Sequence, residues 1–96
     1  MKYVYIVKSN YYGDHAQGNI LGVHSSLPSA RKHFFLVKTD RERRAELAWY
    51  RTEQDMAGAY LPKKYEGPSR ELSSFYVDDK KNPEIVELLR WRVSCR

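Results

Sequence analysis

The chain is poor in the residues that build covalent or metal frameworks. Its one cysteine, Cys95, excludes an internal disulfide and any zinc site made of several cysteines. The three histidines, His15, His24 and His33, are dispersed, and no CxxC or HExxH spacing occurs. Neither a metal centre nor a cofactor is expected. Cys95 stands next to the last residue, where the walled pocket of a cysteine nucleophile is hard to build, so it reads as a small hydrophobe. Phosphate-binding loops are missing as well: "YYGDHAQGN" holds two glycines five apart and no GK[ST]. The acidic pairs Asp78-Asp79 and Glu84/Glu87 read as turn and surface residues rather than a catalytic couple. Catalytic residues are therefore not assigned, and an enzyme is not expected. No apolar run approaches the roughly 18 residues that span a bilayer. Lys2 is followed by five apolar residues before Lys8, so no secretory leader and a cytoplasmic location are expected. Repeats and low-complexity segments are also lacking.

What is present fits one domain over residues 1–96, near the commonest size for a single core. Apolar residues make up 42% of the chain, enough to disfavour disorder. The net charge of +5 is local. Residues 31–44 carry Arg31, Lys32, Lys38, Arg41, Arg43 and Arg44 against Asp40 and Glu42, whereas residues 45–96 balance nine cations with nine anions. Such a patch is either the footprint of an acidic partner, nucleic acid or protein, or a solvated helix face that keeps the chain soluble.

Alternation of β-branched and aromatic residues in "KYVYIVK" predicts a strand over 2–8. Val4 and Ile6 share one face; Tyr3, Tyr5 and Val7 share the other. After a polar connection, "NILGVHSS" predicts a second strand near 19–25 and hence a hairpin. Ser25 or Ser26 caps a helix that tolerates Pro28 in its first turn and carries Leu27, Ala30, Phe34 and Val37 on its apolar face. "TDRE", residues 39–42, has the pattern of a capping box. It predicts either a second helix from Asp40 to about Met56 or a kink in one long helix, with Ala45, Ala48, Trp49, Thr52 and Met56 inward. Gly58 would stop it. Residues 58–70 read as a loop, and "SSFYVDD" (73–79) as a third strand. The tail from Pro83 fits a helix start, yet Leu89, Trp91, Val93 and Cys95 alternate with polar residues, which favours a strand over 85–95 with Trp91 buried.

The predicted order is ββααββ: an α+β domain with a small antiparallel sheet and helices packed on one face. In that arrangement Val4 and Ile6 supply the first strand's share of core, and Tyr3 and Tyr5 occupy the outer face, where a tyrosine ring packs while its hydroxyl stays wet.

The segment "KYVYIVKSNYYGDHAQGNILGVHSSLPSARKHF" resembles a group of short bacterial and bacteriophage proteins that begin with a "VYIV"-type strand, a polar hairpin, a "GVHSS"-type strand and a helix with an early alanine, Ala30 here. The closing "EIVELLRWRV" is similar to their last strand. The resemblance covers about half of the chain and implies an accessory protein of the kind phages encode, acting on a host component as inhibitors of host defence do. It assigns no functional residues.

The expected function is protein binding. A surface of Tyr3, Tyr5, Tyr76, Arg90 and Arg92 beside the basic residues Arg31, Lys32, Arg41, Arg43 and Arg44 has the composition of interface hot spots. Self-association through it is an equal expectation. The alternative is nucleic-acid binding, with the cations on phosphates and the tyrosines stacked on bases. Against it, "SSFYVDD" lacks the aromatic signature of an RNA-recognition sheet, and the element order differs.

Overall fold

The computed structural model describes residues 2–11, 18–58 and 69–93. Five strands and two helices follow one another as β1 (Lys2–Tyr11), β2 (Gly18–His24), α1 (Leu27–Glu42), β3 (Leu47–Arg51), α2 (Glu53–Gly58), β4 (Ser69–Val77) and β5 (Glu84–Val93). The strands form one sheet in the order β2-β1-β5-β4-β3, with every neighbouring pair antiparallel. The α+β class with a small antiparallel sheet holds. The order is ββαβαββ rather than ββααββ.

Ser26 begins α1: its backbone is extended and its hydroxyl oxygen accepts from the amide of Ser29 at 3.4 Å. Pro28 sits in the first turn, where a missing amide hydrogen removes no helical bond. Ala30 and Phe34 are the buried residues of α1. A methyl side chain at 30 lets the helix approach the sheet, and the Phe34 ring lies 5.3 Å from that of Phe75. Around these two gather Val7, Phe75, Val77, Val86 and Leu88, with Tyr5, Leu21, Leu47 and Tyr50 at the margin.

The core lies on the opposite side of β1 from the one expected. Val7 is fully buried, Ser9 nearly so, and Tyr5 packs against the core, while Val4 and Ile6 are half-buried on the other face. The reason is visible along the strand: Lys8 and Asn10 share the parity of Val4 and Ile6, so that face turns polar, whereas Val7 and the small Ser9 fit beneath a helix. Opposite them on β5 stand Leu88 and Val86.

The expected second helix from Asp40 is also replaced. The Thr39 hydroxyl donates to the Phe35 carbonyl at 2.9 Å inside α1 rather than capping a new helix. The capping box occurs at Thr52 instead. Its hydroxyl accepts from the Asp55 amide at 3.1 Å, and the Asp55 carboxylate accepts from the Thr52 amide at 2.9 Å. Between the two lies β3. Its pairing with β4 shifts between Leu47 and Trp49, so Leu47 and Tyr50 both reach the core three residues apart. A bulge in a strand thus imitates the spacing of a helix.

The tail is a strand, as its alternation indicates, but Trp91 is 37% exposed rather than buried. The inward tilt expected of Met56, most of the 58–70 loop and the position of Cys95 fall outside the described residues and side chains.

Candidate interaction surface

Helix α1 covers one face of the sheet. On the other face the strand registers bring apolar residues into rows. Val23, Ile6 and Leu89 stand side by side across β2, β1 and β5; Val4 and Trp91 form the next row, and Val93 follows Trp91 on β5. Ile20 projects from β2 on the same side, opposite Lys8. Ile20 (61%) and Val23 (59%) are strongly exposed and Trp91 and Val93 (37% each) partly so, whereas Leu89 between them is 9% exposed. A contiguous apolar patch on a sheet face, rimmed by polar groups, is a common mark of an interaction site. At its far corner Trp49 and Tyr76 stack with centroids 6.1 Å apart, and the Arg51 guanidinium lies 4.8 Å from the Trp49 ring.

The polar end of this open face is a small charge cluster. Asn10 donates from Nδ2 to Glu87 Oε1 at 2.6 Å, and Lys8 stands opposite Glu87 in register. Burial, reinforced by the charge of Glu71, holds the Glu87 carboxyl above its ordinary range.

The tyrosines and arginines expected to form one surface are divided between the two faces. Tyr3, Tyr5, Arg90 and Arg92 do come together, because Tyr5 opposes Arg90 and Tyr3 opposes Arg92, with the Arg90 guanidinium 4.5 Å from the Tyr3 ring. They lie on the helix-bearing side. Tyr76 is on the reverse side with Trp49.

The basic segment is largely neutralised. Arg31 makes a two-pronged contact with Glu53, both bonds at 2.6 Å, which holds the Glu53 carboxyl below its usual range. Lys38 pairs with Glu42 and lies over Tyr50. Arg44 pairs with Asp40 at 2.9 Å. Arg41 contacts Asp40 and, across to the start of β5, Glu84; the Arg41 and Glu84 side chains are only about one-fifth exposed (21% and 20%). Glu84 also accepts from the Ser9 hydroxyl, which explains a buried serine near the end of β1. This network lines a cavity of about 320 Å³ with Arg44, Asp79 and Asn82. Two cations, Arg41 and Arg44, and two anions, Asp79 and Glu84, balance within it, so it does not select an anion. Lys32 and Arg43 are exposed and make no ion pair among the described residues.

Two histidines that are far apart in a linear reading also meet. His24 Nε2 on β2 is 2.9 Å from His33 Nδ1 on α1, with the rings edge to face. Among the described residues no group of three or more metal-ligating side chains converges, and no helix is long and apolar enough to cross a membrane.

Fold and surface together define a small α+β domain whose described helices lie on one side of the sheet and whose other side exposes apolar residues along β2 and at the end of β5. No protein-family model, curated protein or solved structure matches the chain.

Proposed function

We propose that the chain is a non-enzymatic protein that works by docking its open sheet face on another protein. The observation that carries this is the set of exposed apolar side chains Ile20, Val23, Trp91 and Val93, spread over neighbouring rows on the side of the sheet away from α1. Such a face suits a partner surface that is aliphatic or aromatic at its centre, because desolvating those four side chains supplies the favourable free energy. Trp91 is the natural anchor. The N-terminal likeness to short bacterial and bacteriophage proteins directs the search for that partner to host components, defence proteins among them. Nucleic-acid binding receives less support, since Arg31, Arg41 and Arg44 would have to exchange carboxylate partners for phosphates.

The test compares two variants in affinity capture from a bacterial lysate and, once a partner is in hand, by calorimetry. Val23→Asp with Trp91→Ala should reduce binding at least tenfold, while Lys32→Ala with Arg43→Ala should leave it within about twofold. Loss of binding in the basic variant alone, with affinity falling by orders of magnitude between about 50 and 200 mM salt, would establish a phosphate-binding mode instead.

A further inference from the structure

The His24–His33 contact stands apart from the open face. Both rings lie on the helix-bearing side of β2, and both are half-buried at the rim where α1 crosses that strand. Gly22 makes the approach possible. A Cβ at position 22 would stand 2.6 Å from both Cε1 and Nδ1 of His33, a distance no packed side chain tolerates, so any other residue would push the His33 ring away from His24.

We propose that His24 Nε2 and His33 Nδ1 form a two-nitrogen chelate for a divalent transition-metal cation, of the Cu²⁺ or Ni²⁺ type. The separation of the nitrogens in the metal-free pair favours one coordination geometry. With the nitrogens 2.9 Å apart and metal–nitrogen bonds of about 2.0–2.1 Å, the angle at the metal is about 90°. That is the cis angle of a square-planar or octahedral centre, the geometries of Cu²⁺ and Ni²⁺. A tetrahedral Zn²⁺ centre would need the nitrogens about 3.3–3.4 Å apart at the same bond lengths. Without a cation, one ring donates its N–H to the other along the N···N line. With one, the proton leaves, and each ring turns so that both lone pairs meet at a point off that line. Water completes the coordination, because the rim is open to solvent. This needs only two protein ligands and is compatible with the lack of a three-residue cluster among the described residues.

The experiment titrates Ni²⁺, and separately Cu²⁺, into the full chain at pH 7.5, followed by NMR of the histidine side chains. Paramagnetic broadening should appear first on the His24 and His33 ring signals at about one equivalent, whatever weaker binding occurs elsewhere. His24→Gln keeps a hydrogen-bonding side chain opposite His33; it should retain the fold by circular dichroism and weaken uptake at this site at least tenfold. Gly22→Ala should weaken it through displacement of the His33 ring. Zn²⁺ should bind more weakly than Cu²⁺. Selective broadening that is lost in His24→Gln supports the site. Ring signals of His24 and His33 that stay sharp while metal binds elsewhere, or equal affinity in a His24→Gln/His33→Gln variant, overturn it.

Discussion

Replacing Phe34 by alanine tests the packing of α1 directly, because its neighbour provides an internal control. Phe34 is 1% exposed and its ring meets those of Phe75 and Tyr50. Phe35 is 48% exposed, on the next residue of the same helix. Both substitutions have the same helix-propensity gain and remove the same atoms, so their difference isolates burial. A phenylalanine buries about 200 Å², worth at most about 5 kcal/mol at 25 cal/mol per Å². Phe34 and Ala30 are the only buried residues of α1, so the cavity left by Phe34→Ala cannot be refilled from the helix. The loss should be about 3–5 kcal/mol. A domain of this size has roughly 5–14 kcal/mol in total, and each kcal/mol shifts Tm by about 4–8 °C. Phe34→Ala should thus lower Tm by at least about 12 °C, whereas Phe35→Ala should lower it by no more than about 8 °C. Thermal melts by circular dichroism and urea titrations measure both. Equal losses, or a larger loss at Phe35, would mean that α1 presents a different face to the sheet.

Two further tests address the sheet. Val7→Ala should cost about 2–3 kcal/mol and Val4→Ala about 1 kcal/mol or less, as a deeply buried and a half-buried valine require; the reverse order in urea titrations would place the core on the Val4 side. Glu87→Gln probes the raised carboxyl on the open face. Because the folded-state pKa of Glu87 lies above its unfolded value, the folded chain holds the proton more tightly. That contribution is complete below the unfolded pKa of about 4.3 and is lost as pH rises through the folded value. Glu87→Gln, which keeps an acceptor for Asn10, should therefore raise Tm at pH 7 by a few degrees and leave it nearly unchanged at pH 4; a lower Tm at pH 7 would show that the ionised carboxylate stabilises the fold.

The elements with one dominant signal were legible in the sequence: the alternation of β1 and β5, the Ser26–Pro28 helix start and the apolar stripe of α1. The errors came where two physical patterns coincide. Leu47 and Tyr50 keep a three-residue spacing because a bulge lies between them, and "TDRE" has the composition of a capping box although Thr39 bonds backward within α1. Both faces of β1 begin apolar, and only the parity of Lys8 and Asn10 further along distinguishes them. The candidate surface was harder to read. Which residues share a face across five strands depends on register, and register depends on pairings between segments as distant as β1 and β5. The same holds for the histidine contact, set by where α1 crosses β2. A local hint did exist for it: a glycine two residues before His24, between Leu21 and Val23, marks a close approach of some other group.

The pairing of β1 with β5 at the centre of the sheet has a mechanical consequence. Lys2 stands opposite Val93, so the first residue of β1 and the last of β5 lie at the same end of the sheet. Antiparallel hydrogen bonds run perpendicular to the strands. Tension between these two ends therefore loads one rung at a time, beginning at Lys2 and Val93, and peels the central strands apart as a zipper opens. Tension between Lys2 and a handle on the exposed Lys81, just before the opposite end of β5, instead slides the strands past each other and loads all the rungs together. In single-molecule pulling the first geometry should yield at a markedly lower force than the second, although the two share one melting temperature. Resistance to heat and resistance to stretch are thus separate properties of this domain, and the second depends on the direction from which it is pulled.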